Sequence, residues 1–132
     1  MTLDLLNAGL VLRAATHADH ARITKDWLMS YADRARCSPD VYRAGQRALI
    51  ERLLPLAHVL YRTGSEIHGW VCGAPGVVHY AYVPAELRRN GIARSMVLAV
   101  AGESGAHTHR RMPGLSGFAN WHYDPYRIGM SA

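Results

Sequence analysis

The sequence predicts an α/β domain built on a mixed, mostly antiparallel sheet flanked by helices. Three observations carry this. Two segments in the first half repeat apolar residues about every four positions. Three short β-prone runs joined by glycine-containing connections follow them. The apolar run Val77–Val83 then passes through a short basic turn into an apolar helical stretch.

Taken in order, Gly9 to Ala15 reads as a first strand, and Thr16 stands where a helix N-cap belongs. A first helix is expected to run to about Arg36, with Ile23, Trp27, Tyr31 and Ala35 on one side. Ser38-Pro39-Asp40 supplies a cap and a first-turn proline for a second helix. Its buried stripe is expected to be Val41, Ala44, Ala48, Leu49, Leu53 and Leu56, with Pro55 kinking or ending it. His58–Arg62, Ile67–Cys72 and Val77–Val83 then read as an antiparallel meander turned at Thr63-Gly64-Ser65 and Gly73-Ala74-Pro75-Gly76. A helix from about Gly91 to Ala101 comes next. Ala106–Arg110 is a fifth strand, which a strand–helix–strand unit sets parallel to the fourth. Beyond it, Met112–Gly117 holds too much glycine and proline for a long helix, and the remainder is aromatic and turn-rich.

A chain of 132 residues fits one domain spanning 1–132, here with a short irregular C-terminal segment. Charged residues are 19% and apolar residues 49%, a globular composition rather than a disordered one. Met1–Asn7 carries neither a basic leader nor a long apolar segment, so the expectation is a cytoplasmic protein with no membrane partner. Cys37 and Cys72 lack metal-type spacing and read as reduced thiols. The net charge of +5 favours anionic partners, nucleic acid among them, although the arginines are dispersed rather than gathered in a tail.

The most telling segment is the turn Val83-Pro84-Ala85-Glu86-Leu87-Arg88-Arg89-Asn90-Gly91-Ile92-Ala93. A buried strand, a basic turn and a helix start in that order make an anion cradle. The first helical amides have no partner in the helix, and the dipole adds about half a positive charge there. Gly91 lets a phosphate approach the main chain. The turn lacks the Gly-Lys-Ser/Thr of a Walker loop and the spacing of a dinucleotide fingerprint. Arg88-Arg89-Asn90-Gly91-Ile92-Ala93 resembles instead the Arg/Gln-x-x-Gly-x-Gly/Ala signature of the GCN5-related N-acetyltransferase (GNAT) superfamily. The element order over roughly residues 10–110 resembles that family's too, and the chain looks like a short, phage-type member.

The resemblance implies the GNAT fold, in which the fourth and fifth strands splay apart to admit a thioester. It implies acetyl-coenzyme A as co-substrate and transfer of its acetyl group to a primary amine. Arg88, Asn90, Gly91, Ile92 and Ala93 would take the pyrophosphate, with Arg89 and Arg94 near the nucleotide phosphates and Ser95 adding a hydroxyl. A strand-four amide near Tyr82 or Val83 would polarise the thioester carbonyl. His79, where many relatives carry glutamate, is the candidate base, on the face that alternation shares with Ala81 and Val83. The competing reading is a half-buried strand histidine bonded to a neighbour. Tyr126 and Tyr123 are the candidate acids for the departing sulfur, against an aromatic plug under the C-terminus. His107, His109 and His122 invite a metal, yet zinc sites need three or four ligands with a supporting second shell and none is assigned. The acceptor is unread: protein, small molecule and nucleobase amines all fit, and a homodimer is open. The alternative is a silent GNAT-fold module that holds nucleic acid or a protein partner in its basic groove, or a modifier of nucleobase amines.

Overall fold

A computed structural model describes residues 9–31, 37–62, 67–109 and 120–128. The elements are β1 (Leu10–Ala14), α1 (His17–Tyr31), α2 (Pro39–Leu53), β2 (Ala57–Arg62), β3 (Ile67–Ala74), β4 (Val77–Tyr82), α3 (Ile92–Ala101), β5 (Gly105–His107) and β6 (Trp121–Tyr123). They form one six-stranded sheet in the order β1-β2-β3-β4-β5-β6. Strands β1 to β4 are antiparallel neighbours, whereas β4–β5 and β5–β6 are parallel.

Both predicted helix starts are built from their capping residues. The Asp19 carboxylate accepts from the Thr16 amide (2.8 Å) and hydroxyl (3.1 Å), and Arg13 donates to it at 2.8 Å. The Arg13 guanidinium holds the Asp19 carboxyl below its ordinary range. Ser38 caps α2 by accepting from the Val41 amide at 3.4 Å, with Pro39 in the first turn. Pro55 ends α2, which closes at Leu53 into a 3₁₀ turn over Leu54–Leu56. The far end of α1 and Ala35 lie outside the described residues.

The two sides of β3 show how the layers are arranged. Trp70 stacks against Trp27 of α1 (5.5 Å between ring centroids), while a Cβ on Gly69 would meet Met96 of α3 at 3.1 Å. Successive strand residues point to opposite faces, so α1 lies on one face of the sheet and α3 on the other. Cys72 follows Trp70 toward the first face, where its thiol donates to the Leu53 carbonyl of α2. It is a buried free thiol and Cys37 an exposed one. Ile23, Trp27, Ile50, Leu53, Val59, Leu60, Met96 and Val97 are all but fully buried and make up most of the core with β3 and β4.

Two expectations are corrected here. The start of the α2 stripe is rotated: Leu53 is buried as expected, but Tyr42 and Ile50 are buried with it and Val41 is exposed. Tyr42 turns inward because its hydroxyl donates to the Leu28 carbonyl and ties α2 to α1. The C-terminal segment is also less irregular than expected, because Trp121–Tyr123 completes the sheet as β6, paired Gly105↔Trp121 through His107↔Tyr123. A 3₁₀ turn over Pro125–Ile128 follows it. Among the described residues, no helix is long and apolar enough to cross a membrane.

Candidate active site at the strand fork

Strands β4 and β5 pair only through Val77↔Ala106 and Val78↔His107. One further bond runs from the Thr108 amide to the Val78 carbonyl (3.1 Å). There the ladder stops, while β4 continues to Tyr82. Among the described residues the result is a fork, closed at Val78, with β4 running on without β5 toward the loop that follows Tyr82. Gly105 makes the closed end possible. A Cβ at that position would stand 2.1 Å from the Gly76 carbonyl oxygen, which itself accepts from the Ala106 amide at 3.0 Å.

At the open end, a 3₁₀ turn over Ala85–Leu87 leads to Arg88, whose Nε donates to the Val83 carbonyl at 2.8 Å. Its guanidinium also stands 5.7 Å from the centre of the Tyr82 ring. Arg89 and Gly91 take positive φ, 68° and 76°. For a non-glycine residue such as Arg89 that conformation costs about 1 kcal/mol, so the loop is held in a specific shape. Gly91 caps α3 without a side chain, and the first helical bond runs from the Ser95 amide back to the Gly91 carbonyl (3.0 Å). The amides of Ile92 and Ala93 lie ahead of that bond, at the positive end of the dipole. Arg88 and Arg89 are exposed beside them and Arg94 is half-buried. Backbone donors, absence of a Cβ at the cap and mobile positive charge all fit a phosphate group. Asn90 braces the turn by donating to the Leu87 carbonyl at 3.3 Å. Ser95 is buried, and its hydroxyl donates to the Gly91 carbonyl at 2.8 Å.

His79 stands beside the closed end. Strand register passes from Gly73↔Val78 to Cys72↔Tyr80, which makes His79 the extra residue of a bulge. Alternation does not carry across a bulge, so the expectation that His79 shares a face with Ala81 and Val83 is corrected. Its Nδ1 lies 2.9 Å from Thr108 Oγ1, and that hydroxyl lies 3.1 Å from His109 Nδ1. His109 Nε2 in turn meets Gln46 Nε2 of α2 at 3.0 Å. The His109 ring is packed edge-on against Trp27, Tyr31 and Tyr80, at 5.1 to 5.8 Å between centroids. Burial lowers the pKa of His79 to about 4 and that of His109 to about 3. Both imidazoles are therefore neutral at physiological pH. Thr108 and Gln46 escaped the sequence reading. A glutamine one turn after Tyr42, on the inward stripe of α2, was the available signal.

The tyrosines lie further out. Tyr123 pairs with His107 on β6, with ring centroids 5.7 Å apart. Since His107 pairs with Val78, Tyr123 is two strand spacings from β4, about 10 Å. Tyr126 is 86% exposed in the 3₁₀ turn, its amide donating to the Asp124 carboxylate at 3.1 Å. His107 Nδ1 donates to the His109 carbonyl at 2.9 Å, and His122 is exposed. Among the described residues, no group of three or more histidine, cysteine or acidic side chains could hold a metal ion.

A helix pair after the first strand, an antiparallel meander, a β4–α3–β5 unit and a fork between its two strands define the GNAT fold. The chain is similar to the solution structure of apo-form YjaB from Escherichia coli, with a TM-score of 0.53 at 19% identity, over 70% of this chain and 66% of that one. The match thus spans just under two thirds of YjaB. A crystal structure of a ribosomal-protein-alanine N-acetyltransferase from Brucella melitensis biovar Abortus 2308 overlaps 93% of this chain and 91% of its own, at 21% identity and a TM-score of 0.44. At such identities the likeness is one of fold. No protein-family model matches the sequence, and no curated protein does.

Proposed function

We propose that the protein is an acetyl-coenzyme A-dependent N-acetyltransferase acting on a primary amine. The observation that carries this reading is the fork itself. Strands β4 and β5 are parallel neighbours that stop pairing after Val78, and a basic, positive-φ loop leads into a helix N-terminus at the open end. β4 runs on to Tyr82 after β5 has ended at His107. A gap there admits an extended thioester, and the loop suits a pyrophosphate.

In this reading the loop from Arg88 to Ala93, with Arg94, holds the nucleotide end of the co-substrate, while Ser95, whose hydroxyl donates to the Gly91 carbonyl, braces the start of the helix. Arg88 acts through its outer guanidinium nitrogens, since its Nε is engaged with Val83. Backbone amides near Tyr82 and Val83 polarise the carbonyl. A neutral amine attacks the carbonyl carbon, the carbon–sulfur bond breaks, the amine gives up a proton and the thiolate takes one. His79 is the group nearest the fork's closed end, and Tyr123 and Tyr126 are the phenols available for the sulfur.

Titration of acetyl-coenzyme A by calorimetry tests the donor half. Heat is expected below ~1 mM, and it should vanish in Gly91→Glu. That variant should stay folded, because a side chain at this positive φ costs only about 1 to 2 kcal/mol. Normal binding by Gly91→Glu would sink the loop assignment. No heat from the unaltered protein, together with steeply salt-dependent RNA binding, would favour a silent basic module instead. Thiol release in the presence of peptide, small-molecule and nucleobase amines tests transfer.

A further inference from the structure

The chain Gln46–His109–Thr108–His79 has a direction, and the direction decides what His79 can do. A nitrogen of the Gln46 amide faces His109 Nε2 at 3.0 Å. An amide nitrogen only donates, so His109 Nε2 accepts and its proton resides on Nδ1. His109 Nδ1–H then donates to Thr108 Oγ1 (3.1 Å). A hydroxyl has one proton and two lone pairs, so two arrangements satisfy it: Thr108 gives its proton to His79 Nδ1 (2.9 Å), or it accepts from His79 Nδ1–H as well. Only the first runs the chain in one direction from Gln46 to His79; in it His79 Nδ1 is an acceptor and its one proton stands on Nε2.

We propose that Gln46, His109 and Thr108 are positioning residues that lock His79 as its neutral Nε2–H tautomer, a hydrogen-bond donor rather than a proton acceptor at that atom. The reading of the fork as the transfer site is what gives this a catalytic meaning. There His79 would contribute donation to an oxygen or sulfur as it gains negative charge, and the attacking amine would lose its proton elsewhere. A neutral imidazole is required throughout, and burial of both rings supplies it. The rings packed around His109 are Trp27, Tyr31 and Tyr80, and no carboxylate is among them.

Long-range ¹⁵N–¹H correlation of the imidazoles tests the chain without any substrate. In the unaltered protein at about pH 7, His79 should show a protonated Nε2 and an unprotonated Nδ1, and His109 the reverse. Gln46→Glu replaces the donor by a carboxylate, which accepts from His109 Nε2–H. The chain should then reverse and His79 should move to its Nδ1–H form. Gln46 is only half-buried at the helix surface, so this variant should fold, and the amide spectrum checks it. Thr108→Val should uncouple His79 from the state of residue 46. An Nδ1–H form of His79 in the unaltered protein overturns the proposal. So does a His79 tautomer that ignores Gln46→Glu. Titration of coenzyme A into the same samples separates the two readings: a locked His79 without coenzyme binding defeats only the transferase, and binding with an unlocked His79 defeats only the chain.

Discussion

Moderate acid should cost this fold a large part of its stability, through two histidines. His79 and His109 are almost wholly buried, and burial lowers their pKa values to about 4 and about 3, from an ordinary value of 6.5. A depressed histidine pKa means that the folded state resists the proton that the unfolded chain accepts. The stability these groups contribute is therefore complete above pH 6.5. It drains away as pH falls below 6.5, and levels off only below the folded values. At about pH 5 the unfolded chain binds both protons and the folded chain almost neither. Each site then costs about 1.36 kcal/mol for each of the roughly 1.5 pH units below 6.5, which is about 2 kcal/mol, or about 4 kcal/mol for the pair. A domain with about 5 to 15 kcal/mol in hand would feel that as a large fraction. The assay is urea unfolding followed by fluorescence of the buried Trp27 and Trp70, between about pH 7.5 and pH 5. The unfolding free energy should fall steeply below about pH 6.5, reaching a loss of about 4 kcal/mol near pH 5. His109→Gln should halve that loss. A midpoint that stays constant down to about pH 5 would refute the burial argument.

Two substitutions probe the frame of the fork. Gly105→Ala would place a methyl 2.1 Å from the Gly76 carbonyl, at φ +149°, and neither backbone can yield cheaply. A loss of about 3 kcal/mol or more is expected in the urea midpoint, with no shift in Gly76→Ala approaching it, since a Cβ there meets nothing within 4 Å. Asp19→Asn keeps the cap's shape but removes the charge that Arg13 binds, so it should cost about 1 to 2 kcal/mol near neutral pH. The Asp19 pKa is lowered, so this contribution exists above its ordinary value of 3.8 and fades as pH falls through the folded value. The difference between Asp19→Asn and the unaltered chain should therefore shrink in strong acid.

What could be read from the sequence follows the range of the interactions concerned. Thr16 and Ser38-Pro39 act within one helical turn, and both announced their helices correctly. The basic turn and the helix after it were equally local. The start of α2 was misjudged because Val41 and Tyr42 are adjacent and either can begin a stripe that continues through Leu49 and Leu53. The choice is made by Tyr42 reaching Leu28 on another helix. β6 is three residues long and too short for a period to emerge; its register comes from β5. The face of His79 depended on a bulge. Gly73, which reads as a turn residue, in fact sits inside β3, where a Cβ would come within 2.7 Å of the Val77 carbonyl. A glycine within a strand is a known marker of such an irregularity, so that signal was present but was spent on a turn.

The two ends of β4 are electrostatic opposites, and this bears on how any acid loss of activity should be read. The arginines belong to the open end, where Arg88 and Arg89 are exposed and their fields are screened within about 10 Å at moderate salt. At the closed end two imidazoles are kept neutral among aromatic rings, where a new charge would be poorly solvated. Protonating either imidazole would break the chain: a proton on His79 Nδ1 leaves the Thr108 hydroxyl without its acceptor, and one on His109 Nε2 faces the Gln46 amide nitrogen, donor against donor. The same proton that would remove the locked tautomer thus also weakens the fold. A fall in activity below about pH 6 would accordingly fail to identify a general base, whatever its apparent pKa. Only a measurement at constant folded population can separate them. Coenzyme binding at the arginine end, followed over the same pH range, supplies one: it should persist as long as the fold does, with no inflection of its own near the pKa of a histidine.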